Sequence, residues 1–138
     1  MEKEIKKTCL NERHRALGAT MVEFGGFDMP IEYAAGIVGE HQAVRNHVGV
    51  FDVSHMGEVL VTGPDAARFV NHIFTNDVEK VADGAIVYGM MLHPDGGTVD
   101  DLLVYREGPE AFFLVINAAN IDKDVEWIKS NAEGFDVT

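Results

Sequence analysis

The stretch Ala85-Ile-Val-Tyr-Gly-Met-Met-Leu-His-Pro-Asp-Gly-Gly-Thr-Val-Asp-Asp-Leu-Leu-Val-Tyr105 decides how the second half of this chain folds. Two extended apolar runs, Ala85 to Leu92 and Val99 to Tyr105, flank His93-Pro-Asp-Gly-Gly97, whose composition reverses the chain as a β-hairpin. Side chains alternate faces along a strand, so Val99, Asp101, Leu103 and Tyr105 point one way and Thr98, Asp100, Leu102 and Val104 the other. Two adjacent carboxylates entering apolar sequence ask for a reason, because Asp is depleted in strands and an unpartnered buried carboxylate is costly. Asp100, beside the turn, reads as a solvated turn residue. Asp101 shares its face with Leu103 and Tyr105, so it lies either at a solvent-lapped sheet edge or in a polar pocket with apolar walls.

Working outward, Phe112 to Ile116 follows closely enough to pair as a third antiparallel neighbour. Upstream, Glu58 to Thr62 reads as a strand, and Gly63-Pro-Asp65 starts a helix that buries Ala66, Phe69, Val70 and Ile73 and stops near Asn76. Downstream, Asn120 is placed to cap a helix with Asp122 and Asp124 in its first turn and Ile121, Val125 and Ile128 facing inward. Phe135 to Thr138 reads as the opening of another strand. From Val50 onward the order is therefore strand, helix, three-strand meander, helix, strand. That is an α+β arrangement, a mostly antiparallel sheet with covering helices, nearest to a ferredoxin-like unit over residues 50–138. Residues 1–49 form an N-terminal helix and loop segment. It has a helix near residues 9–17, with Thr8 as cap and Gly18 as stop, and a second helical stripe of Ile37, His41, Val44 and Val48 ending at Gly49.

The 138 residues are 46% hydrophobic and 25% charged, which suits a globular domain or a piece of a larger protein and argues against disorder. A formal net charge of −12, with only 11 basic residues and no block of them, argues against nucleic acid or an anionic membrane as the main partner. One cysteine, Cys9, excludes an internal disulfide. No apolar run approaches membrane-spanning length, and Met1-Glu-Lys-Glu-Ile-Lys-Lys7 lacks the apolar core of a signal peptide, so the expected location is the cytoplasm.

Phe51-Asp-Val-Ser-His-Met-Gly-Glu58 gathers an acid, a hydroxyl, an imidazole and a thioether, yet adjacent Ser54 and His55 point apart on extended chain, which argues against a nucleophilic triad. A loop held by its own polar groups fits better, with Met56 either filling core or lining a cavity. The six histidines do not pair at metal-site spacing, and neither Gly25-Gly26 nor Gly96-Gly97 belongs to a phosphate-loop pattern, so no metal is expected. Tyr88, Asp101 and Tyr105 are candidates for one sheet face, where they either embrace a flat, nitrogen-rich ring or form a half-exposed surface. Asn117-Ala-Ala-Asn120 allows close approach of a ligand or a tight turn.

Seven runs, in order and spanning nearly the whole chain, carry a family resemblance. They are Arg13-His-x-Ala-Leu-Gly-Ala19, Met21-Val-x-Phe-Gly-Gly-x-Asp-Met-Pro30, Glu40-His-x-Ala-Val-Arg45, Phe51 to Glu58, Thr75-Asn-Asp77, Gly96-Gly-x-Val-Asp-Asp-Leu-Leu-Val-Tyr105 and Val115-x-Asn-Ala-Ala-Asn-Ile-x-Lys-Asp124. Together they resemble the N-terminal portion of the aminomethyltransferases of the glycine cleavage system, the T proteins, which are longer and have three domains around a folate channel.

The resemblance implies transfer of an aminomethyl group from the lipoyl arm of the H protein to tetrahydrofolate, with release of ammonia and formation of 5,10-methylenetetrahydrofolate. Tetrahydrofolate enters as acceptor substrate, and the lipoylated H protein is the expected partner. By motif position the catalytic aspartate is Asp101, and the folate-lining positions are Met56, Tyr88, Asp101, Leu103, Tyr105 and Asn117. Residues 1–49 then read as part of a discontinuous folate-binding domain. Cys9 and Phe27 stand where the family usually has Pro and Trp, at positions that look structural. The basic residues that would meet the folate tail lie beyond Thr138, so weak folate binding and no turnover are expected of the 138 residues alone. The alternatives are a non-catalytic folate-binding module, or the folate domain of a related one-carbon enzyme.

Overall fold

The computed structural model describes residues 4–138, and they divide into two units, one ending at His55 and one running Met56–Thr138. The first contains a short strand β1 (Lys6–Lys7), helix α1 (Asn11–Ala16), strands β2 (Thr20–Phe24) and β3 (Phe27–Glu32), and helix α2 (Gly36–Asn46). β2 and β3 pair antiparallel and β1 adds parallel to β3. Among the described residues of this unit, Met29 is the only fully buried large apolar side chain, whereas Thr8, Asn11 and His14 are buried polar ones. The expected apolar stripe on α2 has the right period but is not packed into a core, since no residue of that helix is buried.

Polar contacts therefore carry much of this unit. The His14 imidazole lies 2.8 Å from Asp52 Oδ2 and 2.7 Å from the Tyr33 hydroxyl. A carboxylate only accepts, so Nε2–H donates to Asp52, and in the neutral ring Nδ1 accepts from Tyr33. Thr8 does not cap α1 as expected. Its hydroxyl instead donates to the same Asp52 oxygen at 2.8 Å, and the Ser54 amide donates to the other at 2.9 Å. Burial works against the Asp52 charge, but the donors Ser54, His14 and Thr8 together outweigh it and hold the carboxyl well below the usual carboxylate range. Asp28 is likewise held low by Asn11 and then by Arg15.

In the second unit, β4 (Gly57–Thr62), β5 (Ile86–Leu92), β6 (Thr98–Gly108) and β7 (Ala111–Ile116) form one antiparallel sheet in the order β4-β7-β6-β5. The β5–β6 turn closes as the sequence suggests, with the His93 amide donating to the Gly97 carbonyl at 2.7 Å and Gly96 at φ 86°, a conformation that suits glycine. Helices α3 (Ala66–Ile73) and α4 (Ile121–Ser130) cover one face. Ala66, Phe69, Val70 and Ile73 of α3 and Ile128 of α4 join Val61, Met91, Leu102, Val104, Phe112, Leu114 and Ile116 in one buried core. Gly57 lets a strand approach closely here, because a Cβ would come within 2.7 Å of both Ile116 and Ile121. The α+β class, with mostly antiparallel sheets, is as the sequence implies. The expected strand at Phe135 to Thr138 is reduced to a pair of backbone hydrogen bonds between Thr62 and Thr138, at 2.9 and 2.8 Å. No helix among the described residues is long and apolar enough to cross a membrane.

Because the folded state depresses the Asp52 pKa, its stabilisation is complete above the unfolded-state value of 3.8 and is lost as pH falls below it. Asp52→Asn should cost about 3 kcal/mol at neutral pH and flatten the acid limb of stability, as read by urea unfolding between pH 7 and pH 3. A variant with an unchanged acid limb would contradict this role.

Candidate active site

The alternation of β6 sorts its two carboxylates onto opposite faces. From Asp100 to Tyr105 in β6 and along β7, even-numbered residues face the helices and odd-numbered residues lie on the uncovered face. Val99, expected on the Asp101 face, is instead buried in the core, because the β5–β6 register shifts between Met91 and Leu92. The register then lines up three rows across that uncovered face. Glu58, Val115, Leu103 and Tyr88 stand side by side, as do Leu60, Phe113, Tyr105 and Ile86. Asp101 is opposite Met90, and extending the same register brings Asn117 and Met56 into its row, since Leu103 pairs with Val115 and Gly57 with Ile116. All six positions named from the sequence, Met56, Tyr88, Asp101, Leu103, Tyr105 and Asn117, thus belong to one sheet face or its rim.

Asp101 Oδ2 accepts a hydrogen bond from the Tyr88 hydroxyl at 2.8 Å. The Asp101 carboxylate, and then burial, push that hydroxyl above the ordinary tyrosine range, which keeps it protonated as the donor. Asn117 Nδ2 donates to the Asp101 carbonyl at 2.9 Å and lies 3.5 Å from Asp101 Oδ1. One side of the carboxylate therefore retains acceptor capacity toward the open face. Around it stand Leu103, half-buried, and Tyr105, whose ring meets Phe113 edge-on with centroids 5.9 Å apart. Ile86, Tyr88, Met90 and Leu60 are exposed on the same face, so this sheet is apolar on both sides. An antiparallel sheet commonly leaves one face polar, and an apolar second face marks a surface built to be covered.

Asp100 differs from the sequence reading. It is 7% exposed, not solvated, because the face it shares with Leu102 and Val104 is the core face. Its Oδ1 accepts from the Asp101 amide at 2.9 Å and Asn117 Nδ2 at 3.0 Å, and its Oδ2 from Asn120 Nδ2 at 3.0 Å. Asn120 stands at the N-cap of α4 but makes no side-chain capping bond, since its amide is spent on Asp100. Beneath lies Asp124, fully buried, with neither carboxyl oxygen accepting a hydrogen bond. Lys123 Nζ is 2.9 Å from Asp124 Oδ1 without hydrogen-bonding geometry, and donates instead to the Val99 carbonyl. Burial and then the neighbouring Asp100 push the Asp124 carboxyl up to about 6. Asp100 is held low, because its donors, Asp124 first, outweigh its own burial. A readable signal for Asp124 existed: it falls three residues after Ile121 and four before Ile128, inside the apolar stripe of α4.

A separate cleft of about 850 Å³ lies in the first unit, walled by Leu10, Leu17, Ile37, Val44 and Phe51, with His14 and Asp52 on its lining. It contains none of the six named positions. Its His14, Asp52 and Tyr33 side chains are already engaged with one another. No group of three or more His, Cys, Asp or Glu among the described residues could hold a metal ion.

Residues 10–138 match the family described as the GCVT N-terminal domain, and the chain belongs to that family. It is 51% identical over 135 residues to an aminomethyltransferase of Desulfitobacterium hafniense, an alignment covering 98% of this chain and 37% of the relative. An aminomethyltransferase of Moorella thermoacetica is 53% identical over 134 residues, covering 97% and 36%. The fold also matches the crystal structure of glycine cleavage system aminomethyltransferase T from Bartonella henselae, with a TM-score of 0.93 at 34% identity, over 97% of this chain and 37% of that one. The chain spans little more than a third of the length of these relatives.

Asp124 binds its proton more tightly when folded than when unfolded, so its favourable contribution is complete below 3.8 and is lost as pH rises through about 6. Asp124→Asn, which keeps a donor for Asp100, should gain stability relative to wild type by about 1–3 kcal/mol across that window. Urea unfolding at intervals from pH 4 to pH 7 reads the gap; a gap that does not widen with pH would refute the raised pKa.

Proposed function

We propose that the protein supplies the folate-binding first part of an aminomethyltransferase of glycine cleavage, in which Asp101 is the catalytic carboxylate. The observation that carries this reading is the Asp101 carboxylate on an uncovered, mostly apolar sheet face: Tyr88 donates to its Oδ2, Asn117 holds the backbone carbonyl of the same residue, and Oδ1 has only a 3.5 Å contact with Asn117. Family membership and the names of the relatives support the reaction class.

In this reading the acceptor is tetrahydrofolate, whose flat pterin lies over Leu103 and Tyr105 with Met56 and Tyr88 at its borders. Its ring N–H groups donate to Asp101, and Asn117 holds the strand end in place. The folate nitrogen attacks the aminomethyl carbon presented on the lipoyl arm of the H protein. Ammonia leaves as the first carbon–nitrogen bond forms. Closure onto the second nitrogen breaks the carbon–sulfur bond, which releases the lipoyl arm as its thiol and gives 5,10-methylenetetrahydrofolate; the two folate N–H protons leave with the ammonia and the thiol. Asp101 orients the reacting nitrogens and takes up the proton released as the nitrogen attacks. The hydroxyl of Tyr88 constrains the carboxylate to one rotamer and lowers the cost of aligning it. Residues 1–49 contribute to the same folate domain as a discontinuous segment, and the protein works in the cytoplasm.

Tyr88→Phe removes one donor from Asp101 and should slow transfer less than loss of the carboxylate itself. In the full-length protein, Asp101→Asn should lower kcat for aminomethyl transfer by about 100-fold or more, with the fold preserved by near-ultraviolet circular dichroism. Wild-type turnover by this variant would remove Asp101 from the mechanism. A calorimetric titration with tetrahydrofolate should give a markedly weaker Kd for the 138-residue chain than for the full-length protein. Equal affinities would place the whole binding site within these residues.

A further inference from the structure

We propose that Asp100 is a positioning residue for Asp101, holding the strand backbone and the Asn117 amide beside that carboxylate from the buried face of the sheet. This assignment depends on the role given to Asp101 above.

The hydrogen bonds close a small ring. Asp100 Oδ1 accepts from the Asp101 amide at 2.9 Å and from Asn117 Nδ2 at 3.0 Å, and the same Asn117 nitrogen donates to the Asp101 carbonyl at 2.9 Å. Both backbone groups of Asp101 that are addressed by side chains are thus addressed by this one pair. Asn117 sits just past β7 and Asp101 on β6, so the ring ties the end of one strand to its neighbour where the register approaches the rim. Asn120 Nδ2 then pins Asp100 Oδ2 at 3.0 Å from the start of α4. A carboxylate with fixed donors on both oxygens has little rotational freedom.

Stability alone does not account for this arrangement. Burying a charge on the core face, opposite Met91 and in line with Leu102, is expensive, and a packed apolar side chain is commonly as good or better. The chain also places a second carboxyl, Asp124, directly against the first, fully buried and without an acceptor contact. As two carboxylates they would repel. Below about 6, where Asp124 carries its proton, that contact becomes another donor for Asp100, and Asp100, already supplied with three donors, stays ionised. The charged group facing this pair is Lys123 on α4; Asp101 lies on the opposite face and meets Asp100 only through its backbone amide. Two costly groups maintained under one residue of the open face are explained if the placement of that residue is what they secure.

A double-mutant cycle in the full-length protein tests this. Wild type, Asp100→Asn, Asp101→Asn and the double variant are compared by steady-state aminomethyl transfer. Asp100→Asn should lower kcat by about 10- to 100-fold while KM for tetrahydrofolate changes by less than about two-fold. In the Asp101→Asn background the same substitution should have almost no further effect on kcat, because what it positions is already gone. If Asp101→Asn turns over at the wild-type rate, the catalytic reading fails and this proposal falls with it. If Asp101→Asn is slow but Asp100→Asn is silent, or multiplies the loss in the double variant, only the positioning role fails. Should Asp100→Asn not fold, Asn120→Ala takes its place. It strips one donor from Asp100, leaves the Asp101 and Asn117 side chains intact, and should give a smaller kcat loss that likewise vanishes beside Asp101→Asn; a silent or independent Asn120→Ala overturns the proposal.

Discussion

The two-residue period of β6 is the constraint on which the second unit depends. It sends Asp100 into a core built of Leu102, Val104, Leu114 and Ile116, and Asp101 onto the opposite face with Leu103 and Tyr105. Neither outcome can change without the other, because a shift of one residue would exchange every side chain between the faces. Pairing on both flanks, with β5 on one side and β7 on the other, prevents that slip. The buried carboxylate is then satisfied by Asn117, Asn120 and the Asp101 amide, and the exposed one by Tyr88.

The same sheet is apolar on both sides, but for different reasons. On the helix side, Phe69 and Val70 of α3 and Ile128 of α4 fill the space against Phe112 and Met91. On the other side, Ile86, Tyr88 and Met90 remain exposed, and their neighbours include Asp101, oriented by Tyr88 and with acceptor capacity to spare. That combination of a flat apolar surface and a single oriented acceptor suits a planar ligand with N–H donors. The first unit shows another balance. Its described core is largely polar, and an Asp52–His14–Tyr33 chain, with Thr8 on Asp52, stabilises it where aliphatic packing stabilises the second unit.

Much of this was legible in the residues. The hairpin at Gly96-Gly97, the α3 stripe of Ala66, Phe69, Val70 and Ile73, and the grouping of Tyr88, Asp101, Leu103 and Tyr105 on one face all follow from period and turn chemistry. What the residues obscured was the partner of each polar group. Thr8 and Asn120 both look like helix caps, and both spend their side chains on a distant carboxylate instead, Asp52 and Asp100 respectively. Asp100 looks like a solvated turn residue by its position, and only the helices packed over Leu102 and Val104 make its face the inner one. A local motif competes with any tertiary donor or acceptor that arrives later, and the local view contains only one of the competitors.

By itself, then, the sequence determined the alternation, the turn and the segregation of Asp100 from Asp101, because these depend on backbone geometry shared by all strands. It also carried, through seven colinear runs, the family to which the chain belongs. Tertiary structure alone decided which face is buried, and that Asp124 lies against Asp100, a pairing of residues 24 positions apart in which burial and then the neighbouring carboxyl raise the Asp124 pKa. Hydrogen bonds act over a few ångströms in space, and spacing along the chain does not reveal which distant groups the packing will bring within that reach.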